Sequence, residues 1–251
     1  MIGNKKIICV IPARLKSTRF PGKVLALLGG KPLIQRTWEA ASKIPFFDEI
    51  VLAIDSKEVA LVAESIGARF VMTSEDCQNG TERLIEIQKR GLLEGDVWVN
   101  WQGDEPFLSL RAIKDLLQSC ESSEVDIWTL KQELDSVRAS DPSICKVVCD
   151  QKADALYFSR SPIPYVREGG VPVKYFKHVG LYAYSDQALR KIAKMPPCEI
   201  ESAEMLEQLR FLFNGLKIRV HETKENSIGI DLLEHLVLAE KHLKTGSFFS
   251  N

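Results

Sequence analysis

The chain has 251 residues, of which 33 are basic and 34 acidic, so its formal net charge is −1. This balance argues against a general nucleic-acid binder, which is usually distinctly basic. A hydrophobic content of 45% and a charged content of 27% are ordinary for a globular protein. No signal-peptide pattern or bilayer-spanning run is present, and the six cysteines are scattered. We therefore expect a cytoplasmic protein that binds neither nucleic acid nor membranes.

Apolar runs and amphipathic segments alternate through the first half of the chain. The runs that predict buried strands are KIICVIP, EIVLAID, RFVMT and DVWVNWQG. The segments that predict helices are KPLIQRTWEAASK, SKEVALVAESIG, TERLIEIQKR and SLRAIKDLLQSC. Ser56 is a predicted N-cap and Gly67 a predicted C-cap of the second helix. The alternation indicates βαβ units and a mainly parallel twisted sheet with helices on both faces.

From about residue 126 the pattern changes to strands without intervening helices. The strand-like segments are DIWTLKQEL, CKVVCD, ALYFS and KHVGLYAYS, and CDQKADALYF is typical of a hairpin. DQALRKIA, SAEMLEQLRFLFNG and LLEHLVLAEKHL then predict helices, and KIRVHET predicts a strand. We therefore predict a single α/β domain over residues 1–245, with an added antiparallel portion at about 126–185 and a tail at 246–251.

Three polar clusters follow predicted parallel strands, which is where α/β proteins bind ligands. PARLKSTRFPGK carries Arg14 and Lys23, whose side chains could hold different phosphates of one chain. TSEDCQNGTER places Asn79 and Gly80 at a helix start, where free N–H groups suit an anion or a base edge. QGDEP places Asp104 in a turn after a strand, and a carboxylate beside phosphates suits Mg²⁺.

Each cluster also has an ordinary structural interpretation. The loop after the first strand has neither the Gly-x-Gly-x-x-Gly nor the Gly-x-x-x-x-Gly-Lys-Ser/Thr phosphate fingerprint. Its basic residues could be solvated charges, Asp104 a turn residue and Thr81 only a helix cap. The occurrence of all three clusters after strands favours a nucleotide or sugar-phosphate site.

Six segments together resemble the CMP-Kdo synthetases, also called 3-deoxy-manno-octulosonate cytidylyltransferases. They are IPARLKSTRFPGK, NGTERL, VNWQGDEP, KVVCDQKADALYFSRSPIPY, KHVGLYAY and LEQLRFL, and the resemblance runs from about Ile7 to about Leu243. The first segment is shared with CMP-sialic acid synthetases, whereas ALYFSRSPIPY and LEQLR are specific to the Kdo branch. The resemblance implies a nucleotide-diphospho-sugar transferase-like fold and a homodimer paired through the antiparallel portion.

The resemblance also implies a reaction. CMP would pass from CTP to the anomeric 2-hydroxyl of Kdo with release of pyrophosphate, which activates Kdo for lipopolysaccharide synthesis, and Mg²⁺ would be the cofactor. A related sugar acid, either 8-amino-Kdo or sialic acid, is the alternative substrate. A regulatory protein that only binds nucleotide is disfavoured, because Lys23, Asp104 and Asp231 are all retained.

The resemblance implies roles for individual residues. Arg14, Lys23 and Asp104 would be catalytic, and Asp104 and Asp231 would hold the metal. The nucleotide-binding set would be Ala13, Arg14, Leu15, Lys23, Asn79, Gly80, Arg83 and Gln102. The sugar-binding set would be Gln102, Arg160, His178, Tyr182, Glu207 and Gln208, with His178 as a hydrogen-bond donor to the sugar.

The chain departs from the family pattern at three places. Glu82 stands where an aspartate is frequent, and Trp101 stands where a valine is usual. Leu232-Leu233 replaces the Thr-Pro that follows the second metal aspartate. These changes could tune the pocket, but they remove no catalytic residue type.

Overall fold

The computed structural model describes residues 4–17, 19–226 and 229–245. The strands in these ranges are β1 (Ile7–Ala13), β2 (Leu27–Leu28), β3 (Lys31–Pro32), β4 (Glu49–Ile54), β5 (Phe70–Met72), β6 (Val97–Asn100), β7 (Ile127–Leu134), β8 (Lys146–Cys149), β9 (Ala155–Ser159), β10 (Tyr175–Ser185) and β11 (Ile218–Glu222). The α-helices are α1 (Leu33–Ala41), α2 (Lys57–Ser65), α3 (Gly80–Lys89), α4 (Leu110–Leu117), α5 (Ser136–Ala139), α6 (Asp186–Ile192), α7 (Glu199–Glu204), α8 (Gln208–Phe213) and α9 (Leu233–Thr245). A 3₁₀ turn covers Lys23–Leu25. Among the described residues, none of the helices has the length and apolar composition to span a bilayer.

The chain divides into two compact units, and the first contains residues 1–113 and 225–251. Its sheet has the order β6-β1-β4-β5, and all three pairings are parallel. The sequence of β1, IICVIPA, is almost continuously apolar, and every residue of the strand is buried, as expected in the centre of a parallel sheet. Because the strands are parallel, their carboxyl ends lie along one edge, which brings the three polar clusters to that edge.

The second unit contains residues 114–224 and is mainly antiparallel. Strand β10 pairs antiparallel with β7 and with β8, and β8 pairs antiparallel with β9. Strand β11 joins β7 in parallel. A register shift between Val179 and Tyr182 interrupts the ladder of β7 and β10. The antiparallel portion predicted for the second half of the chain is therefore present.

The predicted α/β fold class is confirmed, with a parallel sheet and added antiparallel strands. The Ser56 hydroxyl caps α2 by accepting the Val59 N–H at 3.2 Å, and Gly67 follows α2 with a φ of +67°. A left-handed φ of this kind favours glycine. The single domain predicted for residues 1–245 stays a prediction, and the predicted tail at 246–251 lies outside the described residues.

Two local predictions are wrong, and one alternative interpretation is not supported. SAEMLEQLRFLFNG forms two helices, α7 and α8, because Met205 adopts a left-handed conformation with a φ of 53°. The short helix α5 lies between β7 and β8, where no helix was expected. The N-cap of α3 is Asn79, whose side-chain oxygen accepts the Glu82 N–H at 2.9 Å, and not Thr81, which is buried inside the helix.

Candidate active site

The basic loop after β1 folds back on itself and leaves one arginine free. The Arg14 side chain is exposed and makes no hydrogen bond or ion pair with a residue that the structure describes. The Leu15 N–H donates to Asp55 Oδ1 at 2.9 Å, and the Gly22 N–H donates to the Leu15 carbonyl at 3.2 Å. Gly22 has a left-handed φ of 68° directly before the turn that begins at Lys23. This conformation, which favours glycine, directs the chain so that Lys23 reaches the interior.

Lys23 contacts both predicted metal aspartates. Its Nζ donates to a carboxylate oxygen of Asp104 and, at 2.8 Å, to Asp231 Oδ1. Arg19 Nη2 lies 3.0 Å from the same oxygen of Asp231. The Lys23 side chain is 12% exposed. Burial opposes its positive charge, but the two carboxylates outweigh burial and raise the pKa of Lys23 above its ordinary value. The structure thus gathers Lys23, Asp104 and Asp231 into one cluster.

Backbone contacts bring the two aspartates together from distant parts of the chain. The Ile230 N–H donates to the Asp104 carbonyl at 2.9 Å, which places Asp231 beside Asp104. The Gly103 N–H donates to the Pro12 carbonyl at 3.1 Å, at the end of β1. A Cβ at position 103 would lie only 2.7 Å from that carbonyl oxygen, so the close approach requires glycine.

Trp101 and Glu105 support the loop that carries Asp104. The Trp101 indole is fully buried, and its Nε1–H donates to the Glu105 carbonyl at 2.9 Å. The Glu105 carboxyl oxygen Oε2 is buried without a hydrogen-bond partner among the described residues. Burial and the nearby negative charges of Asp104 and Asp231 raise the pKa of Glu105 to about 8. The positive charge of Lys23 opposes this shift but does not cancel it. Glu105 therefore carries a proton at neutral pH, a role that the sequence did not reveal.

Arg83 forms a buried ion pair instead of an open binding group. It is 2% exposed, and its Nη2 donates to Asp55 Oδ2 at 2.8 Å. Its Nη1 donates to Thr73 Oγ1 at 2.5 Å and to the Ser74 carbonyl at 3.2 Å. Because Asp55 also accepts the Leu15 N–H, the pair connects the ends of β1, β4 and β5. Asp55 was missed in the sequence because a single aspartate after a strand belongs to no distinctive motif.

A cavity of about 470 Å³ lies beside this ion pair. Its lining comes from the segments at the ends of β1, β4 and β5, and consists of Leu15, Lys16, Asp55, Ser56, Lys57, Glu58, Met72 and Glu75. The cavity is therefore at the edge where an open parallel sheet binds its ligand.

The start of α3 lies against the end of β6. A Cβ at Gly80 would lie 2.9 Å from Asn100 Oδ1 and 3.1 Å from Gln102 Nε2, so a larger residue would force the Asn100 side chain to shift and would crowd Gln102. Gln102 Nε2 donates to Asn100 Oδ1 at 3.0 Å. The structure thus brings three of the predicted nucleotide residues together, and these are Asn79, Gly80 and Gln102.

All but one of the predicted sugar residues lie in the second unit. His178 Nε2 is 2.9 Å from the Thr129 hydroxyl, which is also 2.9 Å from the Leu181 carbonyl. A carbonyl can only accept, so we assign the hydroxyl hydrogen to Leu181 and make His178 Nε2–H the donor to Thr129. Nδ1 is then an acceptor, whereas the sequence favoured a donor role toward the sugar. Burial lowers the pKa of His178 to about 3, so its ring is neutral.

Aromatic and polar groups surround His178. Its ring centroid is 5.2 Å from that of Tyr182, whose pKa is raised well above its usual value, chiefly by burial. The Cys145 carbonyl accepts the main-chain N–H of His178 at 2.8 Å, and the Cys145 Sγ accepts a hydrogen bond from Gln208 Nε2 at 3.7 Å. Glu207, which precedes Gln208, lies 3.6 Å from Arg210 Nη2. Cys145 thus connects two of the predicted sugar residues.

Arg160 is held by backbone groups of the same unit. Its Nε–H donates to the Glu204 carbonyl at 2.9 Å, and its Nη1 donates to the Pro142 carbonyl at 3.2 Å. Its own N–H donates to Glu204 Oε2 at 2.9 Å. The guanidinium is partly exposed and so remains accessible to a ligand.

Comparison with known proteins gives matches over nearly the whole chain. Residues 8–218 match the family model described as Cytidylyltransferase. The 3-deoxy-manno-octulosonate cytidylyltransferase of Myxococcus xanthus is 40% identical over 227 residues, which cover 90% of this chain and 92% of that protein. A solved structure of CMP:2-keto-3-deoxy-manno-octonic acid synthetase complexed with CTP superposes with a TM-score of 0.91 at 37% identity, covering 96% of this chain and 100% of that chain. A more distant match is the structure of the 4-diphosphocytidyl-2C-methyl-D-erythritol synthase of Anaerococcus prevotii, with a TM-score of 0.60 over 95% of this chain and 99% of the matched chain. At 14% identity this match shows a shared fold alone.

Proposed function

This chain belongs to the cytidylyltransferase family and is a nucleotidyltransferase, and we propose that the sugar acid it activates is Kdo. CMP passes from CTP to the anomeric 2-hydroxyl of Kdo, and pyrophosphate is released. The observation that carries this function is the Lys23 ammonium held by Asp104 and Asp231 at the carboxyl edge of a parallel sheet. Phosphoryl transfer needs such a cluster, because its catalysis is mainly positioning and charge neutralisation.

The nucleotide would be bound by the first unit. Arg14 has its whole guanidinium fork available for phosphate oxygens, and Lys23 supplies a second positive charge for the departing pyrophosphate. Ala13 and Leu15 would flank the cytosine through their main chain. The ion pair of Asp55 and Arg83 would act from behind by holding Leu15 in place.

The start of α3 would complete the nucleotide site. Asn79 and Gly80 lie at a helix N-terminus, where unpaired N–H groups and the helix dipole favour an anion or a polar base edge. Gln102 lies next to them at the end of β6 and would contact both the nucleotide and the sugar.

The donor set of Asp104 and Asp231 fits Mg²⁺. Two carboxylates converge on one point, which Lys23 Nζ occupies. A hard cation prefers oxygen ligands of this kind, usually with few of them from the protein. Bound there with CTP, Mg²⁺ would neutralise phosphate charge and polarise the α-phosphate.

The sugar acid would be bound by the second unit. Arg160 would pair with the carboxylate, since its Nη2 donates to no residue that the structure describes. His178 Nδ1 would accept from a sugar hydroxyl, and the Tyr182 hydroxyl would make a second contact. Glu207 and Gln208 would bind the remainder of the sugar from the start of α8.

We also propose an assembly and a location, which the family resemblance supports. We expect a homodimer paired through the second unit, which exposes large apolar side chains at Leu156, Tyr165 and Val171. A cytoplasmic location is supported by the six cysteines, all of which are free thiols. There the product would serve lipopolysaccharide synthesis.

A pyrophosphate-release assay with Mg²⁺ tests the function. CTP with Kdo should release pyrophosphate, whereas ATP or GTP with Kdo should give almost none. Sialic acid and 8-amino-Kdo serve as the competing sugar acids. Release with either of these but not with Kdo would refute the proposed substrate, and equal turnover with a purine triphosphate would refute the cytidine specificity.

A further inference from the structure

The second unit contains a buried cation that none of the roles above requires. Lys146, on β8, is fully buried and forms no ion pair with a described residue. Its Nζ donates to three backbone carbonyls, those of Asp141 at 2.9 Å, Ile144 at 2.6 Å and Arg160. These contacts use all three ammonium hydrogens. A buried charge is costly to maintain, so a fully satisfied ammonium at this place calls for a reason.

The three carbonyls show what Lys146 holds in place. Two of them belong to the loop 141–144, whose Pro142 carbonyl accepts from Arg160 Nη1. The third is the carbonyl of Arg160 itself. Lys146 therefore fixes both the backbone of Arg160 and the loop that touches its guanidinium.

Glu204 holds the same arginine from another side. Its Oε2 accepts the Arg160 N–H at 2.9 Å, its carbonyl accepts the Arg160 Nε–H at 2.9 Å, and its Oε1 accepts from the Ser159 hydroxyl at 2.6 Å. Helix α7 ends at Glu204, where Met205 takes its left-handed conformation. The break in the predicted helix thus occurs at the residue that holds Arg160.

We propose that Lys146 and Glu204 are positioning residues for the carboxylate of the sugar acid, acting through Arg160. The inference rests on the proposed function, because it takes Arg160 as the group that binds this carboxylate. The guanidinium is planar, so fixing Nε and Nη1 also fixes the direction of Nη2. An arginine already held in this way loses little conformational entropy when a planar carboxylate binds.

A double-mutant cycle between Glu204 and Arg160 tests the proposal, with the Michaelis constants for Kdo and CTP measured separately. Glu204→Ala should raise KM for Kdo by at least about fivefold and leave KM for CTP unchanged. Arg160→Ala should raise KM for Kdo further. The double variant should match Arg160→Ala within about twofold, because the Glu204 carboxylate, which holds the Arg160 main-chain N–H, would affect Kdo binding only by orienting the Arg160 guanidinium.

Matched variants separate positioning from general destabilisation. Glu204→Gln should keep KM for Kdo within about twofold of wild type, since its amide oxygen can accept the Arg160 N–H and its NH₂ can donate to Ser159. Glu199→Ala, an exposed glutamate of the same helix, should change neither constant. If Lys146→Met folds, it should also raise KM for Kdo and leave KM for CTP unchanged. If it does not fold, the double-mutant cycle between Glu204 and Arg160 remains the test.

The outcomes distinguish this proposal from the proposed function. A KM for Kdo in Glu204→Ala equal to that of wild type, or additive effects in the double variant, would overturn the positioning role. The proposed function would still stand if the wild-type protein releases pyrophosphate with CTP and Kdo. Wild-type protein that releases no pyrophosphate with any sugar acid would overturn the proposed function. In that case the rise in Tm that Kdo alone causes is measured in place of KM in the same cycle. An undiminished rise in both Glu204→Ala and Arg160→Ala would overturn the positioning role as well.

Discussion

Asp104→Asn is the substitution that tests the chemistry of the site most directly. It keeps the shape of the side chain and removes one of the two negative charges that contact Lys23. The side chains of Lys23 and Asp104 are only 12% and 18% exposed, so this is not a surface ion pair. A hydrogen bond to a charged group in such a place contributes roughly 1.5–3 kcal/mol. Because Asn still accepts one hydrogen bond, we expect a loss of about 1–2 kcal/mol, or roughly 2–8 °C in Tm.

The catalytic effect of Asp104→Asn should be much larger than its effect on stability. If the carboxylate holds a cation beside the reacting phosphate, removing its charge should lower kcat by roughly 10²–10³. Asp231→Asn should act in the same direction. The assay is pyrophosphate release across a Mg²⁺ titration, with Tm measured in parallel.

The control for this prediction is an ion pair of the same chemistry at the surface. Glu133 and Lys174 are 2.8 Å apart and largely exposed, so Glu133→Gln should change neither Tm nor kcat appreciably. A kcat for Asp104→Asn within about threefold of wild type at saturating Mg²⁺ would refute the metal role and the mechanism built on it.

Three further predictions concern stability and the nucleotide site. The pKa of Glu105 is raised from 4.5 to about 8 in the folded protein, so the contribution of Glu105 to stability falls as pH rises between these values. The Tm of Glu105→Gln relative to wild type should therefore increase between pH 5 and pH 8, and a constant difference would contradict this. Asp55→Asn leaves Arg83 buried without its counter-charge and should lower the free energy of unfolding, measured by denaturant titration, by about 3 kcal/mol. It should also raise KM for CTP and leave KM for Kdo unchanged, and an unaltered KM for CTP would argue against a role of Asp55 in holding Leu15. Met205→Gly removes left-handed strain of about 1–2 kcal/mol at a smaller entropic cost and should raise Tm slightly without affecting either KM, and a fall in Tm would contradict this.

Much of the fold could be predicted because its signals are local. The buried run IICVIPA, the Ser56 cap and the glycine after α2 each act within a few residues, and the structure has all three. The break at Met205 could not be predicted in this way. The apolar periodicity continues across it, and Met205 is not a residue type that normally adopts a left-handed conformation.

The site was predictable in its residue types but not in its supports. Lys23 and Asp104 were named from the polar clusters that follow strands and Asp231 through the family resemblance, and in the structure Lys23 contacts both aspartates. Lys146 and Glu204 were missed because a lysine in a strand and a glutamate in a helix are usually exposed. Only the tertiary structure shows that their partners are backbone groups far away in the sequence.

The division of the chain into two units has a consequence for how such enzymes diversify. The proposed triphosphate and metal residues come from both ends of the chain, whereas every proposed sugar residue except Gln102 comes from the continuous segment 114–224. If those residues bind the sugar acid as proposed, substitutions confined to that segment would alter which sugar acid is accepted without touching Arg14, Lys23 or the aspartates. On the proposed roles, selection would act on acceptor choice and on CTP chemistry as nearly independent traits, and exchanging this one segment between relatives should change the sugar acid that is accepted.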